Sequence, residues 1–318
     1  MSTAGTRARV RSVEVTACAK LNLGLAVGPA REDGFHDIAT VFQSISLADT
    51  LSATRTRQGF SLAVRHEEAA LRGRQPRTAR RAVPAGGENL VLRAARLVHE
   101  RLGLAGGTRF RLIKRIPAEA GLGGGSADAA AAIIASLALH GVTLALADRL
   151  ALALELGSDV PFALFGGTAL GRGRGERLHR LRLERPLRAI VAMPVWRVST
   201  PQAFSRIDGL KNGLTQWRHE YRFAATLGRG GLRVAEALRL GNTFERVLGS
   251  RKDDFESLCA RMRAAGLHEP HLTGSGSAVF GLVPEGVRTQ ELVDRFSGNE
   301  PLYAVSSRAS GLRLRTQP

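Results

Sequence analysis

The chain has 318 residues, 44% of them hydrophobic, which is enough for a sizeable core and leads us to expect two domains. No apolar stretch reaches the roughly 20 residues of a membrane span, and the first residues lack the apolar core of a secretory signal. The two cysteines form neither a disulfide framework nor a metal cluster. We therefore expect a cytoplasmic protein without a membrane partner. The formal charge of +18 would suit nucleic acid, but the basic residues are spread along the chain and aromatic residues make up only 5%, so we expect solvated surface and anionic small molecules instead.

The first part of the chain alternates between apolar and polar residues. From Val13 to Val27 every second residue is apolar, which predicts one or two half-buried strands. This alternation places Lys20 and Asn22 together on the polar face. Residues 31–34 are typical of a turn, and Val41 to Leu51 predicts a further strand.

A basic loop, a helix and a strand follow. The dense basic cluster from Arg72 to Arg81 contains Pro and Gly, which predicts an exposed loop whose role the sequence leaves open. Asn89 to Leu102 predicts an amphipathic helix that ends at Gly103. Thr108 to Ile116 alternates again and predicts a strand that stops at Pro117.

A glycine-rich segment, Gly121 to Ala127, leads directly into the apolar stretch from Ala129 to Leu139. Glycine allows backbone N–H groups to approach a small anion closely, and the helix that follows directs its free N–H groups and positive dipole end to the same place. The pattern therefore predicts a phosphate-binding loop. It lacks the Lys-Ser/Thr of a Walker A loop. The alternative is a flexible turn with Ser126 as the N-cap of a helix to His140.

The next elements precede a domain boundary. Ala147 to Leu156 predicts a helix with Gly157 as its C-cap, and Gly166 to Arg177 predicts a hairpin region. Charge density then rises, and we expect two domains, 1–180 and 181–318.

The second half mixes strands and helices without an internal repeat. We expect strands at Ala189–Met193 and Val279–Val283, helices near Arg222–Leu227, Leu232–Leu238 and Asp253–Ala265, and a second Gly/Ser loop at Leu272–Ala278.

Six short segments lie in an order and at a spacing typical of one enzyme superfamily. They are Ala19–Leu23, Arg31–His36, Thr40–Gln43, Pro117–Ala127, Gly157–Phe162 and Leu272–Gly281. Together they resemble the GHMP small-molecule kinases, and within that superfamily the branch that acts on a cytidine diphosphate derivative of methylerythritol. Each segment alone is weakly specific, whereas six in order are strongly specific. The resemblance runs from about Val13 to Gly281 and is weaker after Asp208.

The resemblance implies both a fold and an activity. The fold is α+β with two domains, an N-terminal one like the second domain of ribosomal protein S5 and a ferredoxin-like C-terminal one, with the site between them. The activity is ATP-dependent phosphorylation of the substrate's 2-hydroxyl in non-mevalonate isoprenoid precursor biosynthesis. ATP and Mg²⁺ are the implied cofactors.

The resemblance also implies a catalytic pair and a nucleotide loop. Asp159 would accept the proton of the substrate hydroxyl. Lys20 would keep Asp159 ionised and steady the γ-phosphoryl group. Ser126 would lie near the phosphate-bound Mg²⁺. The residues expected to bind ATP are Pro117, Ala118, Glu119, Ala120, Gly121, Leu122, Gly123, Gly124, Gly125, Ser126 and Ala127.

Substrate binding is the last implied role. Asn22 would contact the methylerythritol part, Phe35 and Phe204 would sandwich the cytosine ring, and His36 would bond to its polar edge. Thr200 would contact the ribose or the pyrophosphate. The family's third motif would comprise Thr273, Gly274, Ser275 and Gly276. Two residues depart from the family pattern, because Cys18 replaces the usual proline and Phe35 replaces the commoner tyrosine.

Each assignment has a plain structural alternative. Lys20 could be an exposed strand lysine, and Asp159 could cap a turn. His36 could be a turn histidine, and Phe35 and Phe204 could be core residues.

Three rival functions remain beside the favoured one. A homoserine or mevalonate kinase would not need the base-reading segment Asp33–His36. A nucleic-acid-binding protein would need clustered Arg and more aromatics. A non-catalytic homologue would not need both Lys20 and Asp159. The sequence does not indicate the oligomeric state.

Overall fold

Two β-sheets organise the chain in the computed structural model, which describes residues 11–71, 85–210, 213–228 and 230–317. The predicted loop from Arg72 to Arg81 and the first ten residues lie outside the described residues. The strands are β1 Ser12–Ala30, β2 His36–Thr56, β3 Phe60–His66, β4 Gly107–Lys114, β5 Thr168–Gly173, β6 Arg177–Leu181, β7 Arg188–Ala192, β8 His268–Leu272, β9 Val279–Leu282, β10 Leu302–Ser306 and β11 Leu312–Gln317. The helices are α1 Leu90–Leu102, α2 Gly124–Leu139, α3 Leu146–Leu156, α4 Val160–Phe165, α5 Thr200–Asp208, α6 Gly213–Ala224, α7 Val234–Leu238, α8 Lys252–Ala264 and α9 Thr289–Arg295.

The first sheet has seven strands, with β11-β1-β2-β4-β3 in order, β5 paired with β2, and β6 paired with β5. The long strand β2 pairs with β4 through its second half and with β5 through its first half. Helix α2 packs against β1 and β2 and also against α1. It can lie close to the sheet because its central residues are alanines, and Ala129 to Ala132 are fully buried.

The second sheet has four antiparallel strands in the order β10-β7-β9-β8. With α8 before β8 and α9 before β10, this order is that of a ferredoxin-like unit. The expected α+β class with two such parts is confirmed. Strand β11 then returns to the first sheet and pairs with β1 over Ser12 to Ala17. The domain limits 1–180 and 181–318 stay a prediction, with residues 312–317 contributing a strand to the first sheet.

Several predicted elements are confirmed. Helix α1 begins after Asn89, whose Oδ1 accepts a 2.8 Å hydrogen bond from the Val91 N–H, and it ends at Gly103 in the left-handed conformation. The predicted hairpin is formed by β5 and β6, although its second strand continues to Leu181. Among the described helices, none combines the length and apolarity that crossing a membrane requires.

Other boundaries were wrong for identifiable reasons. Strand β1 is buried on both faces from Ala19 to Val27, not half-buried, because the second half of the chain covers its outer face. A Cβ at Gly24, for example, would lie 2.5 Å from the carbonyl oxygen of Ala237. Helix α6 ends at Ala224, where the sequence pattern placed a helix near Arg222–Leu227.

Candidate active site

A cleft of about 1250 Å³ brings the predicted site residues together. It lies between the glycine loop, the start of β2 and the loops at the end of the second sheet. The predicted residues that line it are Lys20, Asn22, Phe35, His36, Glu119, Gly121, Gly123, Ser126, Asp159, Thr200, Phe204, Gly274, Ser275 and Gly276. Ala120, Leu122, Ala127 and Thr273 are buried and support this surface from behind.

Lys20 and Asp159 form the charged centre of the cleft. The Lys20 Nζ lies 3.8 Å from the Asp159 Oδ2 and also donates a hydrogen bond to the Asn22 Oδ1. Lys20 is buried, whereas the Asp159 side chain is 37% exposed. Burial lowers the pKa of Lys20, and the Asp159 carboxylate opposes that shift. The buried Lys20 ammonium therefore lies beside a carboxylate that is exposed to the cleft.

Asp159 occupies the N-cap position of α4, a helix that the sequence pattern did not reveal. Its side chain makes no capping hydrogen bond. The alternative in which Asp159 only caps a turn is therefore wrong. The Asp159 carboxylate can therefore interact with Lys20 and with a ligand in the cleft.

Asn22 holds Lys20 in place. Its Oδ1 accepts from the Lys20 Nζ, and its Nδ2 donates a 2.8 Å bond to the Thr40 Oγ1, which in turn donates to the Gly24 carbonyl. The Asn22 N–H donates to the Thr273 Oγ1 at 3.0 Å. Because an amide carries two N–H donors, one remains for a ligand in the cleft.

The glycine loop presents free N–H groups to the cleft. Helix α2 begins at Gly124 with Gly123 in the left-handed conformation at its N-cap, so the alternative with Ser126 as N-cap is wrong. The first intrahelical bond is that from Ala127 N–H to the Gly123 carbonyl. The N–H groups of Gly124, Gly125 and Ser126 therefore precede the helical ladder and face the end where an anion is stabilised.

Two glycines are required by close approach. A Cβ at Gly121, where φ is +76°, would lie 2.1 Å from the carbonyl oxygen of Thr273. A Cβ at Gly274 would lie 3.1 Å from the Gly121 Cα and 3.2 Å from the Lys20 Nζ. The glycine loop, the third motif and Lys20 can meet only because these positions lack side chains.

Asn242 supports the third motif and was not found from the sequence. It is buried, its Nδ2 donates to the carbonyls of Leu272 and Gly274 at 2.9 Å, and its Oδ1 accepts from the Phe244 N–H. A single asparagine between two helices carries no pattern that would single it out. Its role depends on long-range contacts.

The opposite end of the cleft is aromatic. Phe35 is 45% exposed and has the Arg174 guanidinium 4.1 Å from its ring centre, so it is not a core residue. The rings of His36 and Phe204 are 4.9 Å apart. Both predicted aromatic residues therefore line one cavity with His36.

The hydrogen bonding of His36 sets its tautomer. Its Nδ1 lies 2.8 Å from the Gly28 carbonyl oxygen, which only accepts, so Nδ1 carries the proton. In the neutral ring Nε2 is then an acceptor, and it lies 3.8 Å from the Asp208 Oδ1.

Helix α5 supplies Thr200 and Phe204, four residues apart on one side. The sequence contained its start, Ser199 at the N-cap and Pro201 in the first turn, but this signal was missed. Thr200 and Ser275 share a 2.7 Å hydrogen bond between their hydroxyl groups, which joins α5 to the third motif.

Two arginines in the lining were also missed. Arg197 pairs with Glu119 of the glycine loop at 3.0 Å, and Arg174 covers Phe35. Arginine is frequent throughout the chain, so the sequence does not distinguish these two. Arg174 adds positive charge to a cleft that already holds Lys20, whereas the Glu119 carboxylate offsets the charge of Arg197.

Comparison with known proteins gives consistent matches. The model of the GHMP kinases N terminal domain matches residues 89–167. A 4-diphosphocytidyl-2-C-methyl-D-erythritol kinase of Moorella thermoacetica is 36% identical over 287 residues, which cover 90% of this chain and 95% of that protein. A crystal structure of a 4-(cytidine 5'-diphospho)-2C-methyl-D-erythritol kinase matches with a TM-score of 0.70 at 34% identity, covering 92% of this chain and 98% of that one. A homoserine kinase from Cytophaga hutchinsonii ATCC 33406 matches with a TM-score of 0.72 over 98% of this chain and 100% of that one, but at 20% identity this likeness shows the fold alone.

Proposed function

Because the chain belongs to the 4-diphosphocytidyl-2-C-methyl-D-erythritol kinase family of the GHMP kinases, we propose that its cleft transfers the γ-phosphoryl group of ATP to the 2-hydroxyl of that cytidylylated alcohol. The protein is a kinase of the methylerythritol phosphate route to isoprenoid precursors. The observation that carries the residue assignment is the Lys20–Asp159 pair, which lies in one cleft with the glycine loop and the aromatic end.

The chemical step requires a proton acceptor and a stabilised phosphoryl group. The Asp159 carboxylate accepts or orients the hydroxyl proton, since it is exposed to the cleft and makes no capping bond. Lys20 places a buried positive charge beside it, where charge on the transferred group is stabilised most strongly. Asn22 holds the Lys20 ammonium in that position.

ATP phosphates bind on the N–H groups that open α2. Gly123 and Ser126 line the cleft there, and the absence of a Cβ at Gly121 lets the loop pack against the Thr273 carbonyl. Mg²⁺ would neutralise charge on the β- and γ-phosphates. The described residues contain no group of three potential protein ligands. This fits an ion held mainly by phosphate and water with the Ser126 hydroxyl as a protein oxygen.

The aromatic end reads the nucleobase. Phe35 offers one ring face, since Arg174 covers the other, and Phe204 closes the opposite side beside His36. Stacking supplies affinity with little choice between pyrimidines. The choice comes from the neutral ring of His36, in which Nε2 is an acceptor that matches the 4-amino group of cytosine but not the 4-carbonyl of uracil.

Other GHMP substrates fit this end of the cleft less well. Homoserine and mevalonate have no base, so Phe35, His36 and Phe204 would remain without a partner. We also propose a cytoplasmic location, with the small-molecule substrate as partner.

An assay of ADP release with purified protein tests the proposal. We expect turnover with the cytidine substrate, and a kcat/KM roughly 10- to 1,000-fold lower for the uridine analogue, from one or two mismatches of ~1–3 kcal/mol each. Phe35→Ala should weaken both analogues while changing their ratio little. Equal use of the two analogues, or turnover of homoserine or mevalonate instead, would refute the assignment.

A further inference from the structure

A buried cluster of three ionisable residues lies directly behind the glycine loop. The Lys114 Nζ is 2.5 Å from the Asp49 Oδ2 and 2.7 Å from the Asp128 Oδ2. Asp49 is fully buried, and Lys114 and Asp128 are 4% and 3% exposed. None of the three lines the cleft, so none contacts substrate. We call Asp49, Lys114 and Asp128 the loop clamp.

The loop clamp joins the two ends of the glycine loop. The Asp49 Oδ1 accepts hydrogen bonds from the N–H groups of Arg115 and Ile116 at 2.6 and 2.9 Å, where the chain leaves β4. Asp128 stands in the first turns of α2, where the chain arrives. Lys114 bridges the carboxyl groups of Asp49 and Asp128. The loop clamp therefore sets the distance between the end of β4 and the first turns of α2, which the glycine loop connects.

Gly124 fits this arrangement. A Cβ there would lie 3.0 Å from the Ile116 Cγ2 and 3.2 Å from the Lys114 Nζ, on the clamp side of the loop. Gly124 is buried and Gly125 is exposed. A side chain at position 124 would therefore force Ile116 or Lys114 to shift.

Stability alone is a weak reason for such a cluster. Removing the carboxylate and ammonium groups of such a cluster from water costs more than their mutual attraction commonly returns, and apolar residues of similar size often stabilise a fold equally well. A buried charge cluster is better explained when it fixes a geometry that the site needs. Here the site is the start of α2, whose N–H groups bind the phosphates.

We propose that Asp49, Lys114 and Asp128 are positioning residues that set the width of the phosphate-binding loop, and that the net charge of this cluster controls the affinity for ATP. The proposal rests on the proposed function only in that ATP is the nucleotide bound. The charged groups that act on Asp128 are Lys114 from β4 and Asp49 from β2.

The protonation of Asp128 gives the proposal a pH dependence. Burial raises the pKa of Asp128, Lys114 opposes that shift and Asp49 adds to it, so that the pKa of Asp128 lies at about 8. Near neutral pH Asp128 is mainly protonated, and Lys114 balances Asp49. At higher pH Asp128 ionises, the cluster becomes negative beneath the phosphate site, and ATP is repelled.

The test is ATP binding to the full chain, measured by calorimetry without the second substrate. For the wild type we expect the Kd for ATP to rise about fivefold or more between neutral pH and roughly pH 9.5 as the added charge acts across the loop. Asp128→Asn is nearly isosteric and cannot ionise, so over this range its Kd should rise at least about twofold less than the Kd of the wild type. Lys20 also loses protons at alkaline pH, but it does so in both proteins and cancels in the comparison.

A second variant probes the bridge itself. Lys114→Met should raise the KM for ATP more than the KM for the cytidine substrate, whereas the exposed Lys252→Met control should change neither. If Lys114→Met does not fold, the pH dependence of the Kd for ATP in wild type and Asp128→Asn still tests the proposal.

A Kd that depends on pH equally in wild type and Asp128→Asn would overturn the proposal. So would equal losses in both KM values for Lys114→Met, since these indicate a merely structural role. Binding of ATP without turnover would leave the loop clamp testable while refuting the proposed phosphoryl transfer.

Discussion

Asp159→Asn is the most informative single change in the catalytic pair. It preserves the shape of the side chain and removes both the proton acceptor and the counter-charge of Lys20. At a separation of 3.8 Å an effective dielectric of ~20 gives about 4 kcal/mol of attraction. Because the Asp159 side chain is 37% exposed, solvent screening reduces the useful part to ~1–2 kcal/mol.

Two consequences follow for the variant. The pKa of Lys20, already lowered by burial, should fall further once the Asp159 carboxylate that opposes this shift is removed. Turnover should fall by ~10²-fold or more, the size expected for a lost general base. Thermal stability should change little, since Asp159 makes no capping bond and faces the cleft.

The assay is kcat for ADP release at several pH values, with ATP binding measured separately. Asp148→Asn is the matched control, because Asp148 is an exposed acid in the first turn of α3. It should leave turnover unchanged. If Asp159→Asn keeps more than about a third of wild-type turnover, the assignment of Asp159 as proton acceptor is wrong.

Three further predictions concern the supports of the site and the pH range of stability. Gly121→Ala should lower the melting temperature and abolish ATP binding, because its Cβ would lie 2.1 Å from a carbonyl oxygen. Gly125→Ala should still fold, since among the described residues its Cβ would have one neighbour, at 3.5 Å, and equal stability of the two variants would contradict this. Asn242→Ala should cost ~2–5 kcal/mol in urea unfolding, because two buried carbonyls lose their donor, and a cost under about 0.5 kcal/mol would disprove its supporting role. Burial lowers the pKa of His140 to about 4 and that of His99 below its usual 6.5, so the unfolded chain binds more protons between these values. The contribution of these histidines to the free energy of unfolding should therefore be complete above about pH 6.5 and be lost as the pH drops toward 4. His140→Gln should reduce that loss in unfolding measured at several pH values, and an identical pH profile for the variant would refute the role of His140.

The sequence predicted the chemistry of the site better than its surroundings. Alternation along β1 placed Lys20 and Asn22 on one face, and the structure has them hydrogen-bonded to each other. The glycine run predicted free N–H groups at the start of a helix, and α2 begins there. Both are local properties of a few consecutive residues, which is why a pattern could reveal them.

The missed features depend on contacts between distant segments. Asn242 acts on carbonyls about 30 residues away in sequence, Arg197 pairs across the cleft with Glu119, and β11 adds to a strand at the other end of the chain. No local periodicity records such contacts. The burial of both faces of β1 has the same origin, because the covering elements come from the second half.

Two members of the loop clamp, Asp49 and Lys114, are indicated by the alternation of their strands, although their pairing depends on distant segments. Along β4 the inward positions are Thr108, Phe110, Leu112 and Lys114, and along β2 they include Leu51 and Ala53 with Asp49 two residues before Leu51. Each strand therefore carries one charge on its apolar face, and the two charges are opposite. A lone charge there would be very costly, so each requires a partner. Since Thr50 lies opposite Ile113 in the antiparallel register, the next pair is Asp49 and Lys114. A charge in the apolar phase of a strand is thus evidence for a buried partner, and here the third member, Asp128, extends that pairing to the helix that presents the phosphate-binding N–H groups.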